Sequence, residues 1–259
     1  MQFLQHGNGV IHYSLEGPTD APVLMFANSL GTDFRMWDAI AERLRDRYRL
    51  LRYDMRGHGL TSVPDGPYTI AGLAEDCVAL IDGLGLDRVH FCGLSIGGMV
   101  GQHLAGAHGD RLHSVILCDT TMRMPEPSMW TERAAQVRSE GLDGLVDGAM
   151  ERWFTPAFRT STTVAGIRNM FLRTPAEGYA GCCEAIGTMD LEPMVDAIDR
   201  PALVIVGADD PGTPVPAAEA LAERIEGARL EVVPEAAHLP PVERPEAVTD
   251  AVAGFLGQR

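Results

Sequence analysis

The chain has 259 residues, 46% of them hydrophobic, and a formal net charge of −15; that length suits one large α/β domain burying about 75% of its unfolded surface, and the acidity argues against nucleic acid or an anionic membrane as partner. All 21 basic residues are arginine, which excludes Schiff-base and lysine-base chemistry, and no long apolar run or basic leader predicts a membrane span or export signal. Five cysteines without metal-ligand spacing predict a reduced, cytoplasmic protein with neither a disulfide framework nor a metal site.

Phe3 to Gln5, a Gly7-Asn8-Gly9 turn and Val10 to Leu15 read as an edge hairpin. Val23 to Ala27 is a continuous apolar run, as in a strand buried on both faces. It exits into Asn28-Ser29-Leu30-Gly31-Thr32. A helix is predicted from Met36 to Arg45, a strand from Tyr48 to Tyr53, then the exit loop Asp54-Met55-Arg56-Gly57-His58-Gly59, in which Asp54 and Arg56 are read as bracing residues. Ile70 to Leu84 has helical spacing, and Leu112 to Cys118 reads as a strand. From Thr121 to Asp196 the alternation stops, leaving short helical stretches broken by Gly and Pro. It resumes with a strand at Ala202 to Gly207, a helix near Ala217 to Ile225, a strand at Leu230 to Val233 and a helix from Pro245 to Leu256. This order predicts an α/β fold, a mostly parallel sheet with helices on both faces. The expected division is a core of residues 1–120 and 197–259, with a helical lid, residues 121–196, inserted after the sixth predicted strand.

Between these elements lies Gly93-Leu94-Ser95-Ile96-Gly97, at the corner where an apolar strand ending at Gly93 meets a helix whose inner face is Ile96, Met99, Val100 and Leu104. A tight strand-to-helix turn brings the helix so close to the strand that only small residues fit two before and two after the centre. Ser95 then points out above the sheet, and the Ile96 N–H lies at the helix N-terminus, where an oxyanion can bind.

A serine nucleophile needs a base. His6 and His12 lie in the hairpin, His90 on a strand, and His103, His108 and His113 around the helix that follows Ser95. His238 instead follows the last predicted strand, at the rim where loops leaving parallel strands gather. The base needs a carboxylate to hold its tautomer. Asp210 is chosen from the exit of Val204-Ile205-Val206-Gly207, with Asp209 second and Asp119, after the strand ending at Cys118, third. The chain order Ser95, Asp210, His238 is the one that the nucleophile-elbow fold requires.

With those residues the chain resembles the α/β-hydrolases across essentially its full length. More narrowly, it resembles the 3-oxoadipate enol-lactone hydrolases of bacterial aromatic degradation. The narrower match rests on Asn28 to Thr32 with Met36-Trp37-Asp38, on Cys92 to Met99, and on Trp153-Phe154-Thr155-Pro156 and Gly178-Tyr179 with Cys182-Cys183. Asn28-Ser29 stands where many hydrolases of this fold carry His-Gly, in keeping with the narrower pattern. The resemblance implies hydrolysis of the enol-lactone to 3-oxoadipate without metal, nucleotide or flavin. It also implies an oxyanion hole from the N–H groups of Leu30 and Ile96.

Such a substrate carries a carboxylate, and residues 120–196 hold seven Arg against eleven Asp and Glu. Recognition therefore falls to a particular arginine. Arg133, one turn after Trp130 on the first lid helix, is the candidate, with Arg123 and Arg168 as alternatives. The same triad could also serve a carboxylesterase, a cofactor-free perhydrolase or a C–C bond hydrolase, and the scaffold alone could serve a small-molecule receptor.

Overall fold

The computed structural model describes residues 1–257. Gln258 and Arg259, the end of the expected core segment 197–259, lie outside the described residues. Eight strands form one sheet: β1 (Gln2–His6), β2 (Gly9–Glu16), β3 (Val23–Ala27), β4 (Arg49–Tyr53), β5 (Val89–Leu94), β6 (Leu112–Cys118), β7 (Ala202–Gly207) and β8 (Arg229–Val233). Their order is β1-β2-β4-β3-β5-β6-β7-β8, antiparallel at the β1–β2 and β2–β4 pairs and parallel beyond. Every residue of β3, β5 and β7 is buried. Successive side chains point to opposite faces, so such strands are covered on both sides.

The helices before the sixth strand ends are α1 (Asp38–Leu44), α2 (Ile70–Gly83) and α3 (Ile96–Ala107). Between β6 and β7 come α4 (Pro127–Glu140), α5 (Val146–Trp153), α6 (Thr162–Leu172), α7 (Ala176–Gly187) and α8 (Glu192–Asp196). The chain closes with α9 (Val215–Arg224), α10 (Pro240–Glu243) and α11 (Pro245–Leu256). The first helix differs from the Met36 to Arg45 expectation. Asp33 accepts a hydrogen bond from the Arg35 N–H at 3.0 Å and starts a 3-10 turn, Phe34–Trp37, before α1 begins at Asp38. No helix among the described residues is long and apolar enough to cross a membrane.

Register decides where the loops meet. Ala27 pairs with Gly93, Leu94 with Cys118, Cys118 with Ile205 and Gly207 with Val233. The carboxyl ends of five strands therefore lie in a row. The segments after them (Asn28–Gly31, Ser95, Asp119, Ala208–Asp210 and Pro234–His238) share one rim.

Candidate active site

Ser95 joins β5 to α3 with φ 57° and ψ −117°, a backbone that a residue with a Cβ rarely adopts. The flanking glycines follow from crowding. A Cβ on Gly93 would stand 2.1 Å from the Gly97 carbonyl oxygen, and one on Gly97 would stand 2.4 Å from that of Ala27. The corner is pinned to the neighbouring strand. The Ser95 N–H donates to the Cys118 carbonyl at 2.9 Å, and the Thr120 hydroxyl donates to the Ser95 carbonyl at 2.9 Å.

The Ser95 hydroxyl donates to His238 Nε2 at 3.0 Å, and His238 Nδ1 donates to Asp210 Oδ2 at 2.8 Å. Asp210 also accepts from the Thr213 hydroxyl at 2.6 Å and the Gly212 N–H at 2.8 Å. Burial pushes the Asp210 carboxyl up. The attraction of the His238 ring and the three hydrogen bonds outweigh that and hold it well below the usual carboxylate range. Asp209, the second choice, is exposed.

Asp119 reaches the same cluster but holds another partner. Asp119, Asp210 and His238 offer atoms within 4.8 Å of one another. Asp119 Oδ1 accepts from the Gly207 N–H at 2.8 Å, while its buried Oδ2 has no hydrogen-bond partner. Burial, then the charge of Asp210, raise the Asp119 carboxyl well above the ordinary value. The Asp119 carboxyl thus holds its proton to higher pH than Asp210 does.

Among the described residues neither the Leu30 nor the Ile96 N–H donates a hydrogen bond within the protein. Both are free to receive an oxyanion.

The cluster opens on a cavity of about 360 Å³, lined by Leu30, Ser95, Asp210 and His238 together with Trp130, Arg133, Arg152, Trp153 and Tyr179. Arg133 lies with its guanidinium 4.7 Å from the centre of the Trp130 ring. Burial and the like charge of Arg133 lower the Arg152 guanidinium from its ordinary value. Burial pushes the Tyr179 phenol up, against the pull of both arginines. Among the described residues neither Arg133 nor Arg152 forms a salt bridge, whereas Arg168 pairs with Asp147 at 3.1 Å and Arg123 pairs with Asp190, both on the exterior. Of the three arginines named from sequence, Arg133 is the one at the cavity.

Known proteins resemble the chain in sequence and in fold. A model of the alpha/beta hydrolase family matches residues 17–251. The chain belongs to the alpha/beta hydrolase family. It is 41% identical to 3-oxoadipate enol-lactonase 2 of Acinetobacter baylyi over 248 residues, 95% of this chain and 92% of the relative. To 3-oxoadipate enol-lactonase 1 of the same organism it is 33% identical over 244 residues, 93% of this chain and 91% of the relative. The crystal structure of the enol-lactonase from Burkholderia xenovorans superposes with a TM-score of 0.96 at 41% identity, covering 99% of this chain and 100% of that one.

Three residues of this hydrolase escaped the reading of the sequence. Arg152 reaches the cavity from the last turn of α5, beside Trp153 and one turn after Ala149, which also lines it; that shared face was the available signal. Glu243, fully buried, accepts from the Ala237 N–H and the Thr155 N–H, each at 3.1 Å, so it ties the His238 loop to the segment after α5. No local pattern marks it. His58 lies in the exit loop Asp54 to Gly59, where only Asp54 and Arg56 were singled out. Gly57 and Gly59 there do have φ 77° and 52°, but the histidine between them is buried. Asp54 and Arg56 do brace this loop: Asp54 accepts from the Phe34 and Leu60 N–H groups, and Arg56 pairs with Asp76.

Proposed function

We propose that this protein is a serine hydrolase that opens 3-oxoadipate enol-lactone with water to give 3-oxoadipate, as in the β-ketoadipate route of aromatic degradation. The observation that carries this reading is the hydrogen-bonded line Ser95–His238–Asp210 on a cavity also lined by two arginines without carboxylate partners among the described residues. Ser95 Oγ attacks the lactone carbonyl as His238 Nε2 takes its proton. The ionised Asp210 holds the imidazole tautomer and stabilises the imidazolium. The N–H groups of Leu30 and Ile96 receive the oxyanion. Collapse breaks the ring C–O bond and expels an enol oxygen, a better leaving group than an alkoxide, which takes a proton and becomes the ketone. His238 then activates water, which releases the acyl group from Ser95.

Arg133 and Arg152 bind the substrate carboxylate, with Trp130 backing Arg133. Two guanidiniums that line one cavity without carboxylate partners among the described residues favour an anion there. Residues 121–196 act as a helical cap on a core of residues 1–120 and 197–259. The five cysteines, free and buried, fit the reducing cytoplasm, and a small lactone is the partner that the cavity suits. The reaction needs no cofactor.

The test is ultraviolet loss of freshly generated enol-lactone, with aryl esters and aromatic ring-fission products as comparators. Multiple turnover of the lactone above the comparators, abolished in Ser95→Ala, is the expected result. Faster turnover of either comparator would replace the substrate, and no turnover of any would favour a receptor.

A further inference from the structure

His58 does not line the cavity, yet it holds the loop that carries Leu30. Its ring is fully buried. Nε2 accepts a hydrogen bond from the Gly31 N–H at 2.9 Å, and Nδ1 donates to the Arg56 carbonyl at 3.2 Å. A carbonyl only accepts and a backbone N–H only donates, so the proton is on Nδ1 and the lone pair on Nε2. Burial, the largest influence, lowers the His58 pKa from its ordinary value; the Arg56 carbonyl and the carboxylates of Asp54 and Asp33 oppose it. Those carboxylates are engaged elsewhere, Asp54 with His12 and Asp33 with Arg35, and the Arg56 guanidinium is paired with Asp76. The ring is a neutral acceptor.

The geometry of a planar peptide gives that acceptor its purpose. The plane between Ser29 and Leu30 contains the Ser29 carbonyl and, pointing the opposite way, the Leu30 N–H. That carbonyl accepts from the Thr32 hydroxyl at 2.7 Å and from Asn28 Nδ2 at 3.2 Å. The next plane contains the Gly31 N–H, held by His58. Both peptides flanking the Leu30 Cα are therefore fixed. Gly31 has φ 75°, and a Cβ there would stand 2.7 Å from Phe171 Cδ2, so the loop has no slack on that side either.

We propose that His58 is a positioning residue, a neutral imidazole that fixes the Leu30–Gly31 peptide and so aims the Leu30 N–H at the developing oxyanion. This rests on the reading of Leu30 as an oxyanion donor. Protonation of Nε2 would set two N–H groups against each other and release the loop. Turnover in acid therefore depends on a second proton besides the one that disables His238.

The test compares wild type, His58→Ala and His58→Gln, whose side-chain oxygen can accept near the place of Nε2 but does not titrate. Readouts are kcat and KM on the lactone and an aryl ester, the pH profile, the melting temperature, and the Gly31 and Leu30 amide NMR signals against pH. His58→Ala should lose about 10- to 100-fold in kcat with little change in KM, less than or equal to the loss of a whole oxyanion donor. His58→Gln should recover most of it. In acid, log kcat should fall more steeply in wild type than in His58→Gln, the extra fall amounting to about the 10- to 100-fold lost in His58→Ala, and the Gly31 signal should titrate in wild type alone. Unchanged kcat in both variants, or the same acid slope in wild type and His58→Gln, overturns the role of His58 while leaving the hydrolase intact. A wild type inactive on lactone and ester alike overturns the hydrolase reading and the purpose of the loop with it.

Discussion

Removing Arg133 and Arg152 separates binding from chemistry. Both line the same cavity as Ser95, and neither forms a salt bridge among the described residues. A charge-assisted hydrogen bond contributes about 1.5–3 kcal/mol. At about 1.4 kcal/mol per tenfold, Arg133→Ala or Arg152→Ala should raise KM for the lactone about 10- to 150-fold. The carboxylate is remote from the reacting carbonyl and is held equally in ground and transition states, so kcat should change little. Arg133→Lys should recover part of the loss, because it keeps the charge but loses the planar fork and its place over Trp130, 4.7 Å away. If both guanidiniums grip one carboxylate, the double variant should lose less than the product of the two single losses or more, but not that product. The assay is loss of enol-lactone absorbance, run beside an uncharged aryl ester that offers nothing to either arginine. Equal losses on ester and lactone, or an unchanged lactone KM, would refute the assignment.

Asp210→Asn should lower kcat by about four orders of magnitude, as when the carboxylate of a serine-protease triad becomes an amide, while Asp119→Asn should leave kcat within about tenfold; steady-state rates on either substrate check both. Asp119→Asn should also change the pH dependence of stability. The folded-state pKa of Asp119 lies above its unfolded value, so its stabilising contribution is fully present below the unfolded value and is lost as pH rises toward the folded one. Urea unfolding from about pH 4 to 8 should show wild type losing up to about 1.4 kcal/mol per pH unit relative to the variant; parallel curves would mean that Asp119 is ionised. Gly31→Ala forces a Cβ into φ 75° and against Phe171 at 2.7 Å. It should cost about 1–3 kcal/mol of stability and lower kcat, read by thermal unfolding and by turnover.

The strand runs and the elbow were legible because their signals are local. Val23 to Ala27 reads as buried from its composition alone, and it is. Gly93 and Gly97 announce a close approach before the approaching atoms are known. The helices between β6 and β7 were legible only as a break in alternation, since α4 is polar over much of its surface and buries just Ala134 and Val137. Arg123 and Arg168 looked as suitable as Arg133, because a guanidinium in an exterior ion pair and one facing a cavity have the same sequence signature.

By itself, the sequence determined the order of strands and helices, the strained corner at Ser95 and the reach of His238 and Asp210 to a common rim, because chain direction in a parallel sheet sends every strand exit to one edge. Only the tertiary structure decided which of three aspartates holds the imidazole, which arginines face the cavity, and that His58 is a buried acceptor for the Gly31 N–H. Those outcomes depend on contacts between segments far apart in the chain, where burial and the nearest partner set the protonation state and orientation of each group. No neighbouring residue in the sequence encodes that environment.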